Sequence, residues 1–250
     1  MKLLIDIGNT RLKLATHQNN TTRFVTAVSI ESVEKLRHEL LAAIKSLDES
    51  ASVCFAVSTA NTEVNQAVQD TVAPVAMTWV TPSAAAAGVA NAYPDPTQLG
   101  ADRWVGMIGL TRHFALPHPP ILLASFGTAT TVDTLSPDNR FLGGLILPGV
   151  SLMHHALANG TANLPNTVGA ITTFPTDTIT AITSGIAAAQ AGAVLRQMTL
   201  AQQTFGQRPV LCVTGGAWPA VADEFNRSPD AARMHHLPYV VLDGLAVLAG

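Results

Sequence analysis

Asp6, Lys13, Asp102 and Arg103 are the charged residues of this chain that stand where chemistry needs charge. Only 12% of its 250 residues are Asp, Glu, Lys or Arg. A carboxylate or cation that breaks an apolar run is therefore conspicuous. In LLIDIGNTRLKLAT (3–16) a hydrophobic run reaches Asp6, turns through Gly8, Asn9 and Thr10, and returns carrying Lys13. A glycine at a strand tip lets backbone N–H groups approach a ligand closely. Lys13 adds a compact positive charge suited to phosphate oxygens. Asp6, ending a buried strand, could hold a hydrated Mg²⁺ that bridges phosphates. The same residues also fit an ordinary hairpin with Gly-Asn in its turn. The strand–turn–strand order lacks the helix and lysine spacing of a P-loop, and the spaced glycines of a dinucleotide fingerprint.

A second stretch, LLASFGTATT (122–131), repeats the pattern, with Gly127 in the place of Gly8 and Thr128-Ala129 in the place of Asn9-Thr10. The hydroxyls of Thr10, Thr128, Thr130 and Thr131 complete a phosphate cradle. LGADRWVGMIGL (99–110) sets Asp102 and Arg103 after Gly100-Ala101, at the opening of an apolar helix. Asp102 there suits a helix N-terminus. Taken alone the segment favours that role, and its functional reading is a base that takes a proton from a substrate hydroxyl, with Arg103 contacting an acid or phosphate. GGLILPG (143–149) and VTGGAW (213–218) end strands in glycine turns. The pairs His154-His155 and His235-His236 read as non-metal residues, since adjacent side chains diverge on a helix and no third ligand is evident.

Strands at 2–7, 11–17 and 22–28, a helix over 31–47, a strand at 52–58, a helix over 62–73 and a strand at 77–80 form the first set of elements. A loop with some helix at 81–100 and a helix at 102–114 follow. The three prolines of LPHPP (116–120) cannot continue a helix and mark a domain boundary, dividing the chain into 1–117 and 118–250. The second half starts over, with strands at 121–125, 131–135 and 140–147, helices near 149–159 and 177–203, and a strand at 208–214. A further strand at YVVL (239–242) and a closing apolar helix complete it. The repeated order points to a duplicated α/β unit with two similar turns facing one cleft.

Composition excludes several classes. The net charge of −3 and the absence of a basic run remove the electrostatic footprint of a nucleic-acid binder. Cys54 and Cys212 stand alone in apolar surroundings and read as core thiols. No apolar run reads as long enough to span a bilayer, and no leader pattern opens the chain, so a cytoplasmic place is expected. Apolar residues at 48% against so little charge point towards surface hidden in an oligomer.

DIGNTRLK, GADR, FGTATTVD, GGLILPG and VTGG, in that order, resemble the type III pantothenate kinases of the acetate and sugar kinase, Hsc70 and actin superfamily. The likeness runs from residue 3 to about 217. It implies two ribonuclease-H-like domains with ATP between them, and transfer of the γ-phosphoryl group to the 4′-hydroxyl of pantothenate, the first step towards coenzyme A. By this resemblance Asp6, Ile7, Gly8, Asn9, Thr10, Arg11, Leu12 and Lys13 form the first phosphate loop, and Gly127 and Thr128 the second. Asp102 is the general base. Tyr93, Gly100, Ala101, Asp102, Arg103 and Thr178 contact pantothenate. The last helix is expected to pack back on the first domain. Mg²⁺, a homodimer with pantothenate near the subunit interface, and a monovalent cation, K⁺ or NH₄⁺, are also implied.

Ser125 departs from the pattern, since the family usually has Asp there, associated with that cation. Two other readings stay open. A sugar kinase of the same superfamily is one, although the ROK sugar kinases carry Gly-Gly-Thr and a Cys-rich zinc motif that this chain lacks. A transcription-related accessory protein without kinase activity is the other, since some relatives were named Bvg accessory factors.

Overall fold

The computed structural model describes residues 1–227 and 233–250. The first half holds β1 (Lys2–Ile7), β2 (Arg11–Gln18), β3 (Thr21–Ser29), α1 (Val33–Lys45), β4 (Val53–Ser58), α2 (Thr62–Val72) and β5 (Ala76–Trp79). Then come β6 (Ala85–Ala86), β7 (Val89–Asn91) and α3 (Ala101–His113). The second half holds β8 (Ile121–Phe126), β9 (Ala129–Leu135), β10 (Arg140–Pro148), α4 (Val150–Gly160), α5 (Thr178–Phe205), β11 (Val210–Thr214), α6 (Ala222–Asn226), β12 (Met234–His236) and α7 (Val240–Ala249). Two compact units result: 1–115 together with 239–250, and 116–238.

In the first unit the strand order is β3-β2-β1-β4-β5. β1 pairs antiparallel with β2 and parallel with β4. A central strand covered on both faces reads as a continuous apolar run. Leu3, Leu4, Ile5 and Ile7 are accordingly fully buried. Leu3, Ile5 and Ile7 pack with Leu36 and Leu40 of α1 and Val64 and Val68 of α2. Ser32 and Asn61 cap those helices by accepting the N–H groups of Lys35 and Val64. Strand alternation then leaves Leu4 and Asp6 on the opposite face.

That opposite face is covered by α3 and α7, which cross backbone to backbone. A Cβ on Gly109 would lie 1.9 Å from the Val240 carbonyl oxygen, and one on Gly244 would lie 2.0 Å from that of Val105. Only glycine admits so close a crossing. His113 Nε2 meets Asp243 Oδ2 at 2.8 Å. Arg112 donates to the Asn20 carbonyl and the Thr22 hydroxyl on the β2–β3 hairpin. The helix that carries Asp102 in its first turn is thus fixed at Gly109 and at its C-terminal end.

Within the second unit the order is β12-β11-β8-β9-β10. β8 pairs antiparallel with β9 and parallel with β11, the same connectivity as around β1. Leu122, Ala124, Phe126, Val132, Leu211 and Val213 pack with residues of α5, among them Ala187, Ala191 and Val194. The repeat suspected from two short glycine turns is therefore a repeat of whole sheets.

Three expectations need correction. YVVL (239–242) is no strand; Val240 opens α7, and a short apolar run has no period that separates the two. The strand on that edge is Met234–His236, parallel to β11. Residues 81–100 hold two short strands and a 3₁₀ turn at Pro96–Gln98. Finally, α5 is long and apolar enough to cross a membrane by length and composition, with mean hydropathy 1.4 over its most apolar window. Its buried side, from Ile182 to Ala201, builds the core of the second unit, which accounts for that composition.

Candidate active site

The first turn is closed by the Gly8 N–H, which donates to the Arg11 carbonyl at 2.9 Å. The Thr10 carbonyl accepts from Ile30, and the Ile7 carbonyl from Thr59, so the loop is pinned from both flanks. Asn9, Thr10 and Arg11 are exposed, whereas the side chains of Ile7 and Leu12 belong to the core. Those two can offer a ligand only their backbone.

Asp6 lies in register with Lys13 across β1 and β2. Lys13 Nζ stands 3.6 Å from Asp6 Oδ2, with side-chain exposures of 26% and 13%. Burial pushes the Asp6 carboxyl above the usual carboxylate range. The Lys13 ammonium pulls it back, and the charge of Asp102 pushes it further up. That last effect places two carboxylates and one lysine in a single electrostatic neighbourhood.

Asp102 sits in the first turn of α3, whose N-cap is Gly100 with no side-chain cap. Its Oδ1 accepts the N–H of Arg103 at 2.8 Å. Desolvation raises its carboxyl, partly offset by that N–H and by the Arg103 guanidinium. A Cβ on Gly100 would come within 3.0 Å of the same Oδ1, so glycine leaves the carboxylate room. Arg103 is 7% exposed, and its Nη1 donates to the Tyr93 hydroxyl at 3.2 Å. Tyr93 is held in turn by its N–H donating to Asn91 Oδ1. Asp6, Lys13, Asp102, Arg103 and Tyr93 therefore form one group, within the first unit.

In the second unit the corresponding turn is one residue shorter. Phe126 pairs with Thr130, and the Gly127 N–H donates to the Ala129 carbonyl at 3.0 Å. Gly149, at the start of α4, donates to the Thr128 carbonyl at 3.1 Å. Gly215, with φ +101°, brings the VTGG turn against Phe126; a Cβ there would lie 2.2 Å from its carbonyl oxygen. Ser125, next to last in β8, is in register with Thr131 and Thr214. Thr178 is the exposed first residue of α5, after the N-cap Asp177.

Among the described residues no three His, Cys, Asp or Glu side chains converge on a metal site. His154 is buried, while His155, His235 and His236 are exposed. Burial pushes the thiols of Cys54 and Cys212 up to about 12, so neither is a ready nucleophile. Sequence reasoning passed over Asp133, which is 1% exposed on β9. A Cβ on Gly144 of the next strand would lie 2.3 Å from its Oδ1. The signal was available: a carboxylate inside the apolar strand TVDTL, opposite a glycine pair.

Comparisons with known proteins identify the family. The family model described as type III pantothenate kinase matches residues 2–200. The chain is 44% identical to the type III pantothenate kinase of Bordetella petrii, over 100% of this chain and 97% of that protein. It is 41% identical to that of Bordetella bronchiseptica, with the same coverage. A Baf family protein from Campylobacter jejuni, named there as a transcriptional activator, has a similar structure at TM-score 0.57 and 18% identity, covering 97% of this chain and 94% of that one. The ethanolamine utilization protein EutJ of Carboxydothermus hydrogenoformans gives 0.55 at 13% identity, covering 99% and 89%. At such identities these two show the fold alone, a mixed α/β architecture with two sheets.

Proposed function

The chain belongs to the type III pantothenate kinase family, whose members phosphorylate pantothenate on the way to coenzyme A, and from that premise we propose how its residues divide the work. Asp102 takes the proton from the pantothenate 4′-hydroxyl as its oxygen attacks the γ-phosphorus of ATP. The bond from that phosphorus to the bridging oxygen breaks, and ADP leaves. The observation that carries this reading is the neighbourhood of Asp102, Asp6 and Lys13, with Arg103 bonded to Tyr93 beside it. A desolvated carboxyl whose pKa is raised is a stronger base than an exposed one.

Phosphoryl transfer asks the protein chiefly for position and charge. The Asp6–Lys13 turn and the Gly127–Thr128 turn take the phosphates of ATP. Lys13 supplies positive charge to their oxygens. A single carboxylate suits Mg²⁺, which keeps most of its waters and shares phosphate oxygens. Asp6 is the residue that would hold it. Tyr93, Gly100, Ala101, Arg103 and Thr178 contact pantothenate. Ser125 stands where the family's monovalent-cation site has Asp, and its neutral hydroxyl is a weaker ligand for such an ion.

The working form is a homodimer in the cytoplasm, with no nucleic-acid or membrane partner. Support for the dimer comes from uncovered apolar surface on the second unit. Ile146 is 65% exposed and Leu152 44%. A groove of about 450 Å³ between α4 and α5, lined by Met153, Leu157, Ile182 and Ile186, is almost wholly apolar. Incubation of the purified protein with ATP and pantothenate tests the function. Formation of 4′-phosphopantothenate and ADP in equal amounts is expected, and its absence under varied Mg²⁺ and K⁺ would overturn the reading.

A further inference from the structure

Gln190 is a fully buried amide in the middle of α5, among Ile186, Ala187, Ala191 and Val194. Burying an amide on an apolar helix face is unfavourable unless its hydrogen bonds are remade. Its Nε2 donates to the Pro148 carbonyl at 2.9 Å and lies 3.1 Å from Met153 Sδ. Pro148 ends β10, opposite Ala129 in the ladder. Without an N–H, it offers that junction only its carbonyl. The next residue, Gly149, donates to the Thr128 carbonyl. A Cβ at Gly149 would lie 2.3 Å from the Gly127 carbonyl oxygen and 2.4 Å from that of Thr128. Residues 148–149 are thus in direct backbone contact with the second glycine turn, and the Gln190 amide holds them from the core side. On the other side of the turn the Phe126 carbonyl accepts the Ala217 N–H at 2.9 Å, while the buried Thr130 hydroxyl and Gln190 Oε1 have no hydrogen-bond partner.

We propose that Gln190 is a positioning residue for the 127–128 turn, acting through the Pro148 carbonyl and Gly149. This rests on the reading that the turn contacts ATP phosphates. Position there is fixed by carbonyl contacts rather than by side chains, so freeing Pro148 lets the turn drift and weakens nucleotide binding without touching the acceptor.

The test is the split between the two Michaelis constants. Gln190→Met keeps length and volume but removes the donor. Its KM for ATP should rise roughly tenfold, the scale of one hydrogen bond, with KM for pantothenate unchanged. Gln190→Asn, one methylene too short to reach Pro148, should show the same split and serves if the Met variant does not fold. Met198→Ala, on the same helix and equally in the core, should lower thermal stability and leave both constants alone. Thr128→Val separates the two levels of the argument. A raised KM for ATP in Thr128→Val with none in the Gln190 variants overturns the role of Gln190 alone. No change in any of them overturns the phosphate reading of the turn as well. An equal rise in both constants in the Gln190 variants reduces Gln190 to a packing residue and also overturns the proposal.

Discussion

Ser125 occupies in the second sheet the register position that Asp6 occupies in the first. Each stands two residues before its turn glycine on the central strand of its sheet. Asp6 has Lys13 on its antiparallel side and Val57 on its parallel side. Ser125 has Thr131 and Thr214. The charged pair of one unit is thus replaced in the other by three hydroxyls on one face. Hydroxyls can ligate K⁺, but they supply no charge, and a relative with Asp here supplies one. The chain is expected to need more K⁺ or NH₄⁺ for half-activation than such a relative, or to have lost the dependence, and Ser125→Asp to strengthen activation without changing the phosphoryl acceptor. Titration of kinase activity with K⁺ at constant ionic strength decides it. Tight activation that the substitution leaves unaltered would show that the cation is held elsewhere.

Asp102→Asn separates chemistry from folding. Loss of the base should lower kcat by about 10²–10⁴-fold, with ATP binding nearly unchanged. The folded-state pKa of Asp102 is raised, chiefly by burial. Such a group adds most to stability at low pH, and that contribution is lost as pH rises through its folded pKa. As pH rises, burial of this carboxyl therefore opposes folding, and the Asn variant should melt no lower than the parent. For the same reason kcat/KM should fall, as acid is added, at a pH above the ordinary carboxylate range. A variant with near-normal kcat would return Asp102 to the role of a helix-opening residue.

Lys13 and Asp6 make the complementary case. Lys13→Ala should raise KM for ATP and leave pantothenate affinity alone, and Asp6→Asn should raise the Mg²⁺ concentration needed for half-maximal rate. Removing Lys13 also removes the cation that pulls the Asp6 carboxyl down, so the Asp6 pKa should climb further in that variant. A change in pantothenate affinity with ATP spared would take the first turn away from the phosphates.

The homodimer is checked by sedimentation at micromolar concentration, where about twice the chain mass is expected. Replacing the exposed Ile146 with Glu should shift the population towards monomer. A fully active monomer of the parent would show that no site depends on a second subunit.

The β1–β2 hairpin was legible because two apolar runs flank Gly-Asn-Thr, and symmetric spacing about that turn sets Asp6 against Lys13. Asp102 was legible as a helix opener, but its closeness to Asp6 was not, since 96 residues separate them in the chain. β12 escaped because MHH has neither length nor alternation. The start of α7 was misread because Val-Val-Leu fits a strand until the following Asp243-Gly244 is known to turn with a helix. Gly109 and Gly244 look in sequence like mere weak points in helices. Their purpose appears only when α3 and α7 are seen to touch. Gln190 and Asp133 were missed for a related reason, since sequence shows a polar residue but not its burial.

The α3–α7 crossing carries the last prediction. Gly109→Ala places a methyl where the Val240 carbonyl oxygen already stands, at 1.9 Å. The obstacle is backbone in a packed helix, so the helices must move apart. Overpacking of this kind costs about 1–3 kcal/mol, which in a chain of this size lowers Tm by roughly 2–12 °C. The displaced helix carries Asp102 at its N-terminal end, so kcat should fall even though residue 109 touches no substrate. Gly160→Ala gives the control, because nothing lies within 4 Å of a Cβ there. It should change neither Tm nor kcat appreciably. A Gly109→Ala protein as stable and as active as the parent would mean that α3 and α7 do not pack through their glycines.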